Sequence, residues 1–266
     1  MATVKEIYTA LDQWAPFSLQ MDFDNAGFLV GRGDQSVEKI LIALDITQDV
    51  AQEAIDCGAQ VIVAHHPIIF HPAKSITDED PIGCTLLKLI EGGVAAICAH
   101  TNLDAVPGGV NDCLAGALAL SEITQLHSDG AMPDGTPYGI GRVGLAHQRG
   151  MSTGAYASYV KDRLGAASVR YVDGGRPVCK VAVGGGACAS MISDVVAAGC
   201  DTFVTSDVKY DQFLSAKELG LNLMDAGHYA TEQVVCPALV TFFNSKFPQL
   251  QLSLSKRHKE VYSNAE

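Results

Sequence analysis

From Lys39 onward the chain repeats one pattern: a short run of apolar residues, a polar turn, a segment of helical length, then the next apolar run. Ile40 to Leu44 ends at Asp45, and Thr47 opens a segment through Ala54 and Ile55 that stops at Gly58. Val61 to Ala64 comes next, then a loop from Phe70 to Asp80, a segment from Pro81 to about Glu91 closed by Gly92-Gly93, the run Val94 to Ala99, and a segment from about Val110 to Ala119. Apolar runs this short, without polar alternation, predict strands buried on both faces. Strands alternating with helices of about ten residues predict βαβ units and a largely parallel sheet.

The flanking segments add to this frame. Thr3 is placed to cap a helix whose apolar stripe is Val4, Ile7, Leu11 and Trp14, and Pro16 ends it. Ser121 to Pro137 interrupts the rhythm with Ser128-Asp129-Gly130 and Pro133-Asp134-Gly135, a turn-rich composition suited to a lobe boundary. The rhythm then resumes with strands at Gly139–Ala146, Ser168–Val172, Val178–Val183, Thr202–Thr205 and Leu221–Met224. Helices are expected at about Thr153–Leu164, Ala189–Ala198, Val208–Leu219 and Thr231–Phe243, and a last strand at Leu250–Leu254. The expectation is an α/β fold of two similar lobes with mostly parallel or mixed sheets flanked by helices. The first lobe is 1–126 and the second 127–266, with the segment from about 225 a candidate to pack back on the first.

The 266 residues suffice for a sizeable core without disulfides, and 48% hydrophobic with only 7% aromatic residues suits an aliphatic α/β interior. The eight cysteines form no Cys-x-x-Cys pair, which points to free thiols in a reducing compartment. No run is long enough to span a membrane and the first residues hold no secretory apolar segment, so a cytoplasmic setting is expected. A formal charge of -12 makes nucleic acid an unlikely partner, because a phosphate-binding surface needs a basic face.

The polar residues at the strand ends carry the chemistry. His65 and His66 follow Val61–Ala64, His100 follows the run ending at Ala99, and His228 follows Leu221–Met224. Asp104 and Glu232 come four residues after His100 and His228. In an open α/β sheet, residues beyond the carboxyl ends of strands converge on one crevice. Adjacent residues on a strand point to opposite faces, so His65 and His66 serve one crevice only if the chain turns there, as Pro67 suggests. Imidazoles with carboxylates and no cysteine suit a catalytic pair of Zn, Mn, Fe or Co ions rather than a closed structural zinc site. Such a centre is net positive and would attract an anionic substrate. The alternative is that His65-His66-Pro67 opens a helix and His228/Glu232 is a capping pair.

Gly184-Gly185-Gly186 reads either as an anion-binding turn or as a tight turn alone. Thr205-Ser206-Asp207 ends another strand, where Asp207 either orients a histidine or substrate or, like Ser206, caps the next helix. Asp45 ends a strand in the same way and is a further candidate for contact with substrate or ligands. No Gly-x-Ser-x-Gly is present, and no cysteine has an obvious catalytic partner.

In order and spacing the chain resembles the NIF-three-like family, often labelled GTP cyclohydrolase I type 2 homologues. The resemblance rests on Asp24-Asn25-Ala26-Gly27-Phe28-Leu29-Val30-Gly31, His65-His66-Pro67, His100-Thr101-Asn102-Leu103-Asp104, the turn from Gly184, Thr205 to Tyr210, and Gly227-His228-Tyr229-Ala230-Thr231-Glu232. It implies a dinuclear metal centre between two lobes, a ring-shaped homohexamer, and the short form without an inserted domain. His65, His66, Asp104, His228 and Glu232 carry over as metal ligands, with Glu232 the bridge, and His100 as a nearby acid/base or supporting residue. The chain departs from the family pattern at Ser206, where glycine is usual, and at Asp211, where histidine is frequent. The activity implied is hydrolysis of a nucleotide or other phosphorylated small molecule, GTP ring opening being its specific version. The competing reading is a metal-binding or regulatory hexamer without turnover.

Overall fold

The computed structural model of the protein describes residues 2–265. In chain order the first elements are β1 (Ala2–Thr3), α1 (Val4–Trp14), β2 (Gly27–Val30), β3 (Ser36–Val37), β4 (Lys39–Ala43), α2 (Gln48–Cys57), β5 (Val61–Ala64), α3 (Pro81–Glu91) and β6 (Ala95–Cys98). Then come α4 (Thr101–Ala105), α5 (Val110–Ala117), β7 (Ser121–Gln125), β8 (Gly130–Ala131), β9 (Pro137–Tyr138), β10 (Arg142–Leu145), α6 (Thr153–Leu164), β11 (Arg170–Val172) and β12 (Lys180–Val183). The chain closes with α7 (Ile192–Ala197), β13 (Thr202–Thr205), α8 (Tyr210–Glu218), β14 (Asn222–Asp225), α9 (His228–Glu232), α10 (Cys236–Lys246) and β15 (Gln251–Leu254). Two compact units result. One runs to Leu103 and takes up Cys236–Lys259; the other holds Asp104–Val235 and the residues from Glu260.

The first unit is built on a five-stranded sheet in the order β15-β4-β5-β6-β2. The four strands β15, β4, β5 and β6 are parallel, and β2 joins the edge antiparallel to β6. Every residue of β5 and β6 is buried, as the unbroken apolar runs require. Leu41, Ile62 and Ala96 from three neighbouring strands meet Val50, Ala51 and Ala54 of α2 and Leu86 and Leu89 of α3. Each such aliphatic side chain contributes about 1.5–3 kcal/mol by leaving water, and truncating Ile62 to alanine costs about 2–5 kcal/mol. Local signals set the helix ends. Thr3 and Glu6 form a reciprocal capping box on α1, Thr47 accepts the Val50 N–H, and Gly58 closes α2 at φ 69°.

The second unit carries a six-stranded mixed sheet in the order β11-β14-β13-β12-β10-β7. Its centre, β12-β13-β14, is parallel and the outer strands are antiparallel. Strand alternation divides its apolar residues between two cores. Val181, Val183, Val204 and Met224 face Leu114 of α5 and Tyr156 and Val160 of α6, while Ala182, Phe203 and Leu223 face Val195 of α7 and Ala216 of α8. Helices thus flank both faces, the arrangement of a mixed α/β fold.

Two local expectations are corrected. Ser121–Gln125, read as the start of the turn-rich stretch, is a strand: it pairs with β10 at the sheet edge, and its mostly exposed side chains leave no apolar signature. The helix expected over Thr231–Phe243 is broken into α9, a 3-10 turn at Gln233–Val235, and α10 with Pro237 in its first turn. His100 leads directly into α4, too short to show a period. No helix among the described residues is long and apolar enough to cross a membrane.

Candidate metal centre

In the first unit, three imidazoles gather beyond the carboxyl ends of β5 and β6. The amide N–H groups of His65 and His66 both donate to the Leu44 carbonyl, at 3.1 and 2.9 Å, so the chain curls as β5 ends and strand alternation is lost. Both rings consequently lie on one side, with centroids 4.9 Å apart, and the His100 ring lies 5.1 and 5.4 Å from them. One ring nitrogen from each falls within 4.8 Å of the others, a set able to hold a metal ion. The nearest following helix is α3, which Asp80 caps, so His65-His66-Pro67 does not open a helix.

Each ring is oriented through Nδ1. The His65 Nδ1 meets the Ala99 carbonyl at 2.8 Å, that of His66 meets Asp45 Oδ1 at 2.7 Å, and that of His100 meets Asp24 Oδ1 at 2.8 Å. An oxygen acceptor at Nδ1 places the proton there and the lone pair on Nε2, the arrangement that prepares histidine as a ligand. Burial pushes both carboxylic acids upward, but the hydrogen bonds they accept outweigh it. Those from His258 and His66 hold Asp45 well below the usual carboxylate range. Those from His100 and Thr101 bring Asp24 to about 2.

The second unit holds Asp104, His228 and Glu232. Asp104 lies on α4, buried, and its carbonyl accepts from Asn111 Nδ2 at 2.9 Å. His228 opens α9, with Nδ1 2.6 Å from Asp207 Oδ2 and Nε2 3.0 Å from Glu232 Oε2. With its proton drawn to Asp207, His228 turns a lone pair toward a buried carboxylate oxygen. Two electron-rich atoms at that separation are satisfied by a shared cation or by a second proton on the ring. The spacing also suits two ligands about 2.1 Å from one ion. The N-cap of α9 is Gly227, so the His228/Glu232 pair is not a cap.

The glycine turn after β12 explains how backbone comes so near these groups. A Cβ at Gly186 would lie 2.1 Å from Glu232 Oε1 and 3.3 Å from His228 Nε2, and φ there is +65°. Its amides are committed inside the protein: Gly184 N–H donates to Val204 O, Gly185 N–H to Asn111 Oδ1, and Gly186 N–H to Thr231 Oγ1. The turn is therefore a close-approach cradle and not an anion site. Asp207 adopts φ 52°, a left-handed conformation that asparagine and aspartate tolerate best. Helix α8 is capped at Lys209, so neither Ser206 nor Asp207 is its cap. The hydroxyl of Ser206 is buried and has no hydrogen-bond partner among the described residues. Asp211 lies in the first turn of α8.

Sequence reasoning did not single out four supporting residues. Asp24 holds His100 and Thr101 from 76 and 77 positions away. Asn111 joins the Asp104 carbonyl to the glycine turn. Asp225 receives the Val208 and Gly227 amides on either side of the Asp207–His228 pair, and His258 reaches Asp45 at 2.9 Å. Asp24 alone had a signal, its place in the Asp24-Asn25-Ala26-Gly27 stretch. The cysteines with displaced ionisation, Cys98, Cys113, Cys188 and Cys200, are all pushed upward by burial, so none is an activated thiolate.

Fold and donor set define a mixed α/β protein that presents oriented imidazoles and buried carboxylates beyond the carboxyl ends of its parallel strands. The chain belongs to the Duf34/NIF3 (NGG1p interacting factor 3) family, whose sequence profile matches residues 2–263. It is 33% identical over 234 residues to a GTP cyclohydrolase 1 type 2 homolog of Clostridium perfringens, covering 86% of each chain. It is 33% identical over 233 residues to the GTP cyclohydrolase 1 type 2 of Helicobacter pylori, covering 88% of each. Among solved structures, a hypothetical protein of Staphylococcus aureus superposes with a TM-score of 0.92 at 28% identity, over 99% of both chains. Reduced HcgD of Methanocaldococcus jannaschii gives 0.79 at 29% identity, over 96% of this chain and 98% of that one.

Proposed function

We propose that the protein is a dinuclear metal-dependent hydrolase acting on a nucleotide or another phosphorylated small molecule. In this reading His65, His66, Asp104, His228 and Glu232 together hold two divalent ions of the Zn, Mn, Fe or Co type. When bound, such ions supply Lewis acidity and a water of lowered pKa. The observation that carries the reading is the uniform dressing of four histidines, each with Nδ1 held against an oxygen acceptor, the contact that orients a histidine as a metal ligand. The chain's own groups do the rest. Asp45 and Asp207 fix the rings of His66 and His228, and His100, held by Asp24, is placed to move a proton beside the ligands.

The names of the Clostridium and Helicobacter relatives favour GTP as the first substrate to try. Eight free cysteines support a reducing, cytoplasmic setting. The test is turnover of GTP and a panel of phosphoesters by metal-loaded protein alongside His66→Ala and Glu232→Ala. Turnover lost in both variants supports the hydrolase; none by the loaded wild-type protein contradicts it.

A second reading, a hexameric metal-binding or regulatory assembly, draws on exposed apolar side chains at α8. Tyr210 and Leu214 lie one helical turn apart and are 78% and 49% exposed, with Leu219 just beyond at 52%. A monomer in sedimentation would exclude it.

A further inference from the structure

Beyond β15 the chain runs as a tail without regular structure, yet it is tied down in the first unit. Ser255 N–H donates to the Ile42 carbonyl at 2.8 Å, which continues the pairing with β4. The Ser255 hydroxyl and the amides of Lys256 and Arg257 all donate to the Glu53 carboxylate, and Arg257 Nη2 reaches Asp56 Oδ2 at 2.6 Å. Glu53 and Asp56 lie three apart on α2, so an acidic edge of that helix receives a basic stretch of tail. His258 N–H returns to the Ser255 hydroxyl at 3.1 Å, which turns its ring inward.

That ring meets the site. His258 Nε2 lies 2.9 Å from Asp45 Oδ2, while Asp45 Oδ1 lies 2.7 Å from His66 Nδ1. The His258 side chain is only 6% exposed, whereas that of Asp45 is 41% exposed. A half-exposed aspartate has a broad, weakly preferred rotation about its last torsion and exchanges partners with water. One imidazole on each oxygen fixes the carboxylate plane at two points. We propose that His258 is a positioning residue: through Asp45, the carboxy-terminal tail sets the ring orientation of the metal ligand His66.

This inference rests on the reading of His66 as a ligand, and its test separates the two. Metal-free wild type, His258→Gln, His258→Phe, Asp45→Asn and the Asp45→Asn/His258→Phe double variant are titrated with Mn2+ or Zn2+ against a competing chelator. The His66 ring signals are followed by NMR in the metal-free proteins. Removing a partner that orients a ligand lowers metal affinity by about 10–100-fold, and a residue one bond further out is expected at about 10-fold. His258→Phe keeps the ring's bulk without its N–H, so it should bind metal about 10-fold more weakly and shift the His66 signals. His258→Gln keeps a donor and should stay within about 3-fold of wild type. In the Asp45→Asn background His258→Phe should add nothing, because the route through Asp45 is already broken. Unchanged affinity and His66 signals in folded His258→Phe, equal losses in the Phe and Gln variants, or independent effects of the two sites would overturn the proposal. If wild type takes up no metal, the ligand reading fails, while the His66 signals still decide whether the tail positions that ring.

Discussion

The Oδ1 of Asp24 lies 2.8 Å from the Nδ1 of His100, a contact that closes 76 residues of chain. The other Asp24 oxygen accepts from the amide and hydroxyl of Thr101, and its side chain is fully buried. Because the folded carboxyl is lowered from 3.8 to about 2, its contribution to stability is complete above pH 3.8 and is lost as pH falls toward 2. It amounts to about 2 kcal/mol. Urea unfolding of metal-free protein between pH 2 and 5 should show this loss, and Asp24→Asn should be less stable at neutral pH and flatter across the window. An equal pH slope in the variant would exclude Asp24 as its source.

Gly186 and Gly58 have similar backbone torsions, φ +65° and +69°, but of the two only Gly186 faces the Glu232 carboxylate. Alanine at Gly58 meets nothing within 4 Å and should cost about 1 kcal/mol, the left-handed penalty alone. At Gly186 the added methyl collides with Glu232 Oε1, so the loss should be larger by about 1–3 kcal/mol and metal binding should weaken. Thermal unfolding of the two variants without and with metal checks the difference.

Asp207→Gly should separate stability from metal binding. Relief of the φ 52° conformation should offset the lost hydrogen bond to His228, so stability of the metal-free protein should stay within about 1 kcal/mol of wild type. Loss of the carboxylate that holds His228 Nδ1 should lower metal affinity about 10-fold. Denaturant unfolding paired with metal titration reads both; unchanged affinity would remove Asp207 from the site.

Ser206→Ala removes a buried hydroxyl that has no hydrogen-bond partner among the described residues and should stabilise the fold by about 1 kcal/mol. Chemical denaturation measures it, and a loss of stability would show that the hydroxyl is satisfied in solution.

Much of the fold was legible because its strands are buried on both faces. Val61–Ala64 and Thr202–Thr205 show as continuous apolar or β-branched runs, and Thr47, Gly58 and Asp80 mark helix ends by local chemistry. The edge strand Ser121–Gln125 was not legible, since an exposed strand needs no apolar face. Helices of five residues, α4 and α9, are too short to display a period. At the site, histidines placed after strands stood out by position. Asp45 and Asp207 stood out in the same way and Asp24 by its turn stretch, whereas Asn111 and His258 are ordinary polar residues until the fold brings them to an amide or carboxylate far along the chain. His258 meets a carboxylate 213 positions away, a relation that no local pattern encodes.

Metal uptake by the purified, metal-stripped chain tests the central claim most directly. Titration with Mn2+ or Zn2+, read by bound metal per chain, should saturate at two ions in wild type and fall below two in both His66→Ala and Glu232→Ala while each stays folded. Absence of saturable uptake, or full occupancy in both variants, would contradict the account.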